Sequence, residues 1–389
     1  MNRVCSIFAQ MLQFFPRLEF EAAVRQHRAE RHARGFSCWT QFIAMLFCQL
    51  GHAQSLREIT GGLAACEGKL KHLGVVSPPK RSTLAYANEH RPWALFQTLF
   101  HQLYQRCAAE VAHRSKRRFR FQHKLLSLDA TMIPLCLSVF DWAHYRRTKG
   151  AVKLHLVLDH DGYLPQFAVL TEGRTSEIEV ARRQRFAPGT MLVFDRGYTD
   201  IDWWLQLSRQ NVFFVTRLKD NMAYGVVESR PVAADKGILR DEVVLLVKIQ
   251  EAGPTALMRR VEVWDDERNS TVVFLTNHLK LSAATLAAVY RDRWQVELFF
   301  RTLKQSLRVK TFVGTSANAV LVQIWTALIA VLLLKYLQMR SRFDWSLSNL
   351  VALLRQQLFV YRDLMAWLNE PFQPPPGYRL AEQLELSLA

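Results

Sequence analysis

The chain has 389 residues, half of them hydrophobic, which is enough to bury a sizeable core and to form about two to four structural units. It carries 51 Lys and Arg against 34 Asp and Glu, and the net charge of +17 favours an extended anionic partner such as nucleic acid. The six cysteines include no Cys-x-x-Cys pair, which argues against a zinc site and a disulfide framework and favours a reduced, cytoplasmic environment.

A membrane surface is the competing anion for so basic a chain. The long apolar run 320–334 contains Gln323 and Thr326 and is closed by Lys335. A membrane-spanning helix needs about 20 apolar residues. The run is therefore predicted to be a buried helix, and no membrane partner is expected.

Residues 1–120 are predicted to form a helical DNA-binding region. Within it, 55–93 resembles a helix-turn-helix, with a first helix beginning SLREIT and a second after Pro78 and Pro79. Ser82 is the expected cap of the second helix, and Arg81 is a candidate DNA contact. The pattern alone is weak evidence for this motif.

A basic segment, HRSKRRFRFQHK at 113–124, follows these helices. Its dense positive charge makes Arg117 and Arg118 candidate phosphate contacts. A solvated linker is the alternative. In both cases the segment marks a boundary with the next unit.

From Lys124 the pattern changes to strands and helices. Three strand-like runs (KLLSLDATMI, AVKLHLVLD and YLPQFAVLTEG) precede a helix, the strand MLVFDRGY, a second helix and the strand VFFVTRL. This order is typical of an RNase H-like fold, so an RNase H-like α/β catalytic core is predicted, with its first part at 121–220. Asp129 lies on the first strand and Asp195 directly follows the apolar part of the fourth.

An antiparallel β unit is predicted at 221–281, inserted into that core. Its three strand-like runs are EVVLLVKIQ, TALMRRVEVW and STVVFLTN. The second part of the core is placed at 282–340. A helical C-terminal region, with a possible role in dimerisation, is placed at 341–389.

The stretch from Leu281 to Lys310 is predicted to be one helix capped by Ser282. At about 100° per residue, Tyr290, Arg293, Glu297 and Lys304 share one narrow stripe, and apolar residues occupy the adjoining face. The alternative is a solvated helix edge on which Arg293, Glu297 and Arg301 form surface ion pairs, each contributing about 0.3 to 0.5 kcal/mol.

Three acids stand out together: Asp129, Asp195 and Glu297. A single Asp at a strand end is most often a turn residue or a helix cap. Buried carboxylates, however, repel one another unless a cation joins them. Oxygen ligands select Mg²⁺ or Mn²⁺, and two such ions about 4 Å apart promote phosphodiester displacement.

Four motifs resemble those of insertion-sequence-4 (IS4) family DDE transposases: LDATMI, RRTKGAVKLH, FDRGY and YRDRWQVELFFRTLK, the last with the family's YREK spacing. The resemblance implies that Asp129, Asp195 and Glu297 hold two Mg²⁺ or Mn²⁺ ions, and that Tyr290, Arg293 and Lys304 contact DNA phosphates. Further candidate DNA contacts, some of which are alternatively solvated turn residues, are Arg146, Arg147, Lys149, Lys153, Arg196 and Arg301.

The expected function is that of a bacterial insertion-sequence transposase. The enzyme would hydrolyse phosphodiesters at the transposon ends and transfer the 3′ hydroxyls into target DNA, with double-stranded terminal inverted repeats and target DNA as partners and a homodimer in the synaptic complex. The alternatives are an RNase H-like nuclease without strand transfer and a catalytically idle, transposase-derived DNA-binding protein.

A hairpin step that uses a Trp to stack a flipped base is an open question, because Val272 and Val273 occupy the expected strand and only Trp264 lies nearby.

Overall fold

The N-terminal part of the chain is helical. The computed structural model describes residues 5–31, 33, 35–66, 68–114, 119–135, 144–146, 149–232, 237–247, 256–266, 269–306 and 312–373. Its first helices are α1 (Ile7–Leu12), α2 (Arg17–Gln26), α3 (Cys38–Leu50), α4 (Leu56–Ala65), α5 (Arg81–His90) and α6 (Ala94–Arg114). A 3-10 helix, Leu70–Leu73, separates α4 from α5, and these two helices contact each other.

The predicted cap of α5 is wrong. The helix begins at Arg81, and its N-cap is Lys80, whose side chain makes no capping hydrogen bond. The physical reason is that the carbonyl of the extended Lys80 already accepts the first helical hydrogen bond, from the amide of Leu84 at 3.0 Å, so Ser82 lies inside the first turn.

A ten-stranded mixed sheet occupies the middle of the described chain. Its strands are β1 (Leu125–Leu135), β2 (His144–Arg146), β3 (Lys149–Asp159), β4 (Leu164–Glu172), β5 (Met191–Val193), β6 (Phe213–Arg217), β7 (Tyr224–Ser229), β8 (Ile238–Leu246), β9 (Leu257–Asp265) and β10 (Ser270–Thr276). Their order is β2-β3-β1-β5-β6-β10-β9-β8-β7, and β4 also pairs with β3. Strands β1, β5 and β6 are parallel to one another, and the other pairings are antiparallel.

The segment predicted as three inserted strands contains four. The additional strand β7 lies at the sheet edge, and most of its residues are exposed, so it lacks the alternation that marks a half-buried strand. All four strands continue the main sheet, because β10 pairs with β6 through the register Leu275 opposite Thr216. The result is a mixed α/β fold built on one large sheet.

Helices cover both faces of this sheet. Helices α7 (Glu177–Arg182) and α8 (Ile201–Arg209) cover one face, where Leu126 and Leu128 of β1 are buried. Helices α9 (Ala283–Asp292), α10 (Trp294–Ser306) and α11 (Ala317–Arg340) cover the other, where Leu125 and Ile133 are buried. Because side chains alternate along a strand, the odd-numbered residues of β1 face α9 to α11.

Helix α11 is the buried helix predicted from the apolar run, and the prediction is confirmed. It is long and apolar enough to cross a membrane by length and composition alone, yet 83% of its most apolar window is buried inside the protein. It packs against α3, α5, α6 and β4. A helix that is apolar on all sides is expected at the centre of a large core.

The C-terminal helices α12 (Leu347–Gln357) and α13 (Leu364–Asn369) complete the helical part. Leu350, Leu354 and Trp367 are buried in the same core as the N-terminal helices. Ser6 forms a β-bridge with Tyr361, and the amide of Phe8 donates to the carbonyl of Leu358 at 2.8 Å. The apolar faces of α12 and α13 are therefore covered within the same chain.

Candidate catalytic site

The site begins with Asp129, the fifth residue of β1, on the face that α9 and α10 cover. Its side chain is 15% exposed, and Oδ2 lies 3.4 Å from Nη1 of Arg293. Its Oδ1 accepts a hydrogen bond from the amide of Ala130 at 2.8 Å. The first acid of the predicted triad is thus mostly buried and already paired with a residue of the predicted basic stripe.

Asp195 follows the parallel neighbour of that strand. Ser127 of β1 is in register with Val193, the last residue of β5, and Asp129 and Asp195 each follow that pair by two residues. Asp195 caps the short 3-10 helix Arg196–Tyr198, and its Oδ1 accepts from the amide of Gly197 at 2.8 Å. The carboxylate is therefore held in place by a cap as well as by its strand.

Glu297 lies on α10 and shares Arg293 with Asp129. Nη2 of Arg293 donates to Oε1 of Glu297 at 2.8 Å, and the Glu297 side chain is 33% exposed. One guanidinium thus bridges two acids that are 168 positions apart in sequence (297 − 129). The solvated-edge alternative fails for Arg293, whose side chain is only 13% exposed.

The helix carrying the YREK residues is interrupted, which corrects the prediction of one continuous helix from 281 to 310. Helix α9 ends at Asp292 and α10 begins at Trp294, while Arg293 keeps right-handed helical angles (φ −52°, ψ −30°). Both residues point into the protein: Asp292 contacts His160 and Tyr163, and Arg293 contacts Asp129. The Ser282 cap is confirmed, since its hydroxyl accepts from the amide of Thr285 at 3.1 Å. Residues 307–311 lie outside the described part of the chain.

The pKa of Asp129 is raised from an ordinary value near 3.8 to about 7. Burial is the main cause, and the negative charges of Asp195 and Glu297 raise the pKa further. The Ala130 amide and Arg293 act in the opposite direction. Asp129 therefore lies within electrostatic reach of both other acids, as a shared site requires.

The remaining two YREK residues also face the sheet. Arg293 lies over the ring of Tyr290 at 5.5 Å, and burial raises the pKa of the Tyr290 phenol. Nζ of Lys304 donates to the hydroxyl of Thr131 on β1 at 2.6 Å. Arg293 and Lys304 thus contact β1, while Glu297 and Tyr290 contact Arg293, and Tyr290 also packs on Phe274 of β10.

The other candidate DNA contacts are spread more widely. Arg81 and Arg301 are exposed on their helices, and Arg196 pairs with Asp220 at 3.7 Å. Lys153 is only 14% exposed: it pairs with Glu177 at 3.6 Å and donates to the carbonyl of Thr175 at 2.8 Å. Arg117, Arg118 and Arg147 lie outside the described residues, and only the backbone is described for Arg146 and Lys149.

Sequence reasoning missed Glu177, the first residue of α7. Burial raises the pKa of its carboxyl group, Lys153 lowers it, and Asp195 raises it again. Tyr198, buried nearby, has a pKa raised by burial and by the charges of Glu177, Asp129 and Asp195. In sequence, Glu177 is one of two acids in a helical first turn, a position that acids commonly occupy for the helix dipole alone, so no local signal distinguishes it.

The arrangement is an acid-rich pocket with Arg293 as its internal counter-ion. Within the described ranges, no three His, Cys, Asp or Glu side chains already stand in the positions of metal ligands. The donor atoms are nevertheless carboxylate oxygens, which are the ligands that Mg²⁺ and Mn²⁺ prefer. Burial, and to a smaller extent the charges of Asp195 and Glu297, raise the pKa of Asp129, and a bound cation would favour its ionised form.

Gly197→Ala should impair this pocket more than it impairs folding. A Cβ at position 197 would lie 2.8 Å from Oε2 of Glu177 and 2.9 Å from Oδ1 of Asp195. Both atoms are ends of movable side chains, so we expect stability to change by less than about 1 kcal/mol. We expect the displaced carboxylates to lower DNA cleavage at least about tenfold. Urea unfolding and cleavage rates check this, with the exposed Gly225→Ala as control; equal activity of both variants would contradict it.

Comparison with known proteins places the chain in a family. Residues 120–333, more than half of the chain, match the family described as "Transposase DDE domain", and residues 4–76 match a domain of unknown function (DUF4372). A Sinorhizobium fredii protein that is described as a transposase, y4zB, is 31% identical over 305 residues. The match covers 77% of this chain and 83% of the relative.

A Geobacillus stearothermophilus protein named as a transposase for insertion sequence element IS5377 is 29% identical, covering 69% of this chain and 70% of the relative. A solved structure, the piggyBac transposase synaptic complex with hairpin DNA, covers 92% of this chain and 81% of its own at 9% identity, with a TM-score of 0.44, too low to establish a shared fold. The family match and the insertion-sequence relatives agree with the resemblance seen in the sequence motifs: the chain belongs to the DDE transposase family and is a DNA transposase.

Proposed function

We propose that Asp129, Asp195 and Glu297 are the catalytic acids of this transposase, and that they hold two Mg²⁺ or Mn²⁺ ions. The observation that carries the proposal is geometric: Arg293 pairs with both Asp129 and Glu297, and Asp195 follows the strand that pairs in parallel with β1. Arg293 is one positive charge shared by Asp129 and Glu297, and like charges in a buried place destabilise the fold, so the convergence of three acids calls for a further cation.

The strand order supports an RNase H-like core. Strands β4, β3, β1, β5 and β6 form five neighbouring strands in which β3 alone is antiparallel to both β1 and β4, and β1, β5 and β6 run parallel. Asp129 lies on the central strand and Asp195 at the carboxyl end of the next. That edge of a parallel pair is where open α/β sheets place their ligands. Strands β7 to β10 are then the insertion, and α9 and α10 return the third acid to the core.

The carboxylate oxygens of the three acids would hold the ions. When bound, divalent ions supply activation of a water or a 3′ hydroxyl and charge stabilisation of the leaving oxygen in an in-line displacement. The chain's own residues do the rest. Without ions, Arg293 holds Asp129 and Glu297 in position, and an ion bound by these acids would free its guanidinium for the scissile phosphate. Lys304, fixed by Thr131, supplies a second positive charge.

The DNA partners are the terminal inverted repeats and the target duplex. Exposed Arg81 and Arg301, together with the chain's net charge of +17, support contacts with phosphates outside the catalytic pocket. Strand transfer at two ends calls for two protomers in the synaptic complex. Because the apolar faces of α12 and α13 are covered within one chain, we place the dimer contacts on other surfaces.

A hairpin step with base flipping would use Trp264. Its ring is 39% exposed on β9, opposite Thr271, whereas Val272 is buried. An exposed aromatic face is the requirement for stacking an unpaired base. Trp264→Ala would then reduce hairpin formation and leave the first nick unchanged.

The test is cleavage of labelled DNA that carries the element's own terminal repeats, with Mg²⁺ and the purified chain. We expect nicks at the transposon ends with the wild-type protein and none with Asp129→Asn, Asp195→Asn or Glu297→Gln. Supplying pre-cleaved ends separates a transposase from a nuclease without strand transfer, since only the transposase yields joined products. Absence of cleavage, or full activity of the three variants, would overturn the proposal.

A further inference from the structure

A buried chain of three polar side chains, Ser127, His160 and Asp292, connects the sheet to the helix pair α9 and α10. The hydroxyl of Ser127 lies 2.6 Å from Nε2 of His160, and Nδ1 of His160 lies 2.6 Å from Oδ2 of Asp292. Ser127 has no exposed surface, and the side chains of His160 and Asp292 are 5% and 2% exposed. We call these three residues the His160 relay.

A neutral imidazole satisfies both contacts of the relay. With its proton on Nδ1, His160 donates to Asp292, and Nε2 accepts from the Ser127 hydroxyl. Tyr163 donates its phenolic proton to the same carboxylate, at 3.2 Å from Oδ2. Each polar group thus has a partner, which burial requires.

The side-chain types are those of a hydrolytic triad, but burial excludes that role. A nucleophilic serine must reach a substrate, and Ser127 is fully enclosed by the sheet and the helices. The relay therefore does not act on a substrate. Its position relative to the catalytic acids gives it another use.

Among the described residues, the relay joins β1 to the helix pair next to two other polar contacts. Ser127, Asp129 and Thr131 are alternate residues on one face of β1. They reach, in order, Asp292 through His160, Arg293 directly, and Lys304 directly. Asp292 immediately precedes Arg293, and Ser127 lies two residues before Asp129. The relay therefore connects the strand that carries Asp129 to the helix end that carries Arg293.

We propose that His160 is a positioning residue: the relay fixes the register of α9 and α10 on β1 and so holds Arg293 and Glu297 opposite Asp129. This inference rests on the proposed function of the three acids. Groups that orient metal-binding side chains without touching the metal typically change metal affinity or activity by about 10- to 100-fold when removed. Asp292 and Arg293 are consecutive residues, so fixing the Asp292 side chain also fixes the backbone that carries Arg293.

The test compares four variants of the full chain. His160→Ala removes both relay contacts, and Asp292→Ala removes one. Asp292→Asn keeps one oxygen that accepts from His160, and it replaces the other oxygen and the negative charge with an NH2 group. His101→Ala is the matched control, because it removes another partly buried imidazole, which packs on Trp325 in the helical core. Two quantities are measured: the Mg²⁺ concentration for half-maximal cleavage, and amide hydrogen exchange of peptides from 283–304 in chelator.

We expect His160→Ala and Asp292→Ala to need at least about tenfold more Mg²⁺ and to exchange at least about tenfold faster in 283–304. Asp292→Asn should stay within about twofold of wild type in both. His101→Ala should lower the urea midpoint and change neither quantity. Wild-type values for His160→Ala, or an Asp292→Asn variant as impaired as Asp292→Ala, would overturn the proposal.

The exchange measurement separates this inference from the proposed function. If the wild-type protein does not cleave DNA, the assignment of the acids fails, and exchange in 283–304 still decides whether the relay fixes the helices. If His160→Ala does not fold, Asp292→Ala against Asp292→Asn makes the same comparison.

Discussion

Asp129→Asn should abolish DNA cleavage and at the same time make the protein more stable in chelator at pH 8. The loss of activity is expected to be at least about 10³-fold, the scale seen when one member of a catalytic set that acts as a unit is removed. The gain in stability follows from the pKa of Asp129, which is raised from near 3.8 to about 7 chiefly by burial. At pH 8 the folded protein must hold a charge that its surroundings disfavour.

The direction of the pH dependence follows from proton linkage. Between pH 4 and pH 7 the folded state binds the Asp129 proton more tightly than the unfolded state does, so this residue's contribution to stability falls as pH rises through that range. A shift of about 3 pKa units (7 − 3.8) sets an upper limit of about 4 kcal/mol at pH 8, at 1.36 kcal/mol per unit. Asn carries no charge, so the variant escapes this cost. The difference should disappear near pH 4.

Urea unfolding of both proteins at pH 4 and pH 8, in chelator, checks the stability part. The control is Asp202→Asn on α8, whose side chain is 91% exposed and whose effect should stay within about 0.5 kcal/mol at both pH values. A variant less stable than wild type at pH 8 would contradict the buried, charge-crowded environment assigned to Asp129. Added Mg²⁺ should then stabilise the wild type and leave Asp129→Asn nearly unchanged.

Arg293→Ala should destabilise the protein in chelator by about 3 kcal/mol, because it leaves two partly buried carboxylates without their shared counter-ion. Mg²⁺ should restore more stability to this variant than it adds to wild type, since an ion bound by Asp129 and Glu297 need not displace a guanidinium. Cleavage should still fall at least about 100-fold, because the positive charge facing the scissile phosphate is lost.

Thermal unfolding with and without Mg²⁺ measures the stability effect. Arg293→Lys keeps the charge and loses the two-pronged bridge, so it should recover only part of the stability. Arg301 is exposed on α10, so Arg301→Ala serves as a stability control. It should change the free energy of unfolding by less than about 0.5 kcal/mol. An Arg293→Ala variant that gains no more from Mg²⁺ than wild type would argue that Arg293 and the ion do not share these ligands.

The sequence determined the parts of this protein that local pattern encodes. Asp129 and Asp195 were placed on their strands because apolar runs of strand length end or centre on them, and α11 was identified because its run is apolar on all sides. The Ser282 cap was readable because a hydroxyl directly before a helical pattern satisfies a free amide. The family followed from spaced motifs, and the comparisons confirm it.

Only the tertiary structure decided which side chains meet. Arg293 has the same helical spacing whether it faces solvent or bridges Asp129 and Glu297, because helical period fixes the face and not what covers it. From the sequence, Lys153 was a candidate DNA contact, but in the fold it forms an ion pair with Glu177. The His160 relay joins residues up to 165 positions apart (292 − 127), and strand β7 carries no buried face to give it a pattern. Such pairings depend on strand order and on the return of α9 and α10 to β1, which local periodicity does not contain.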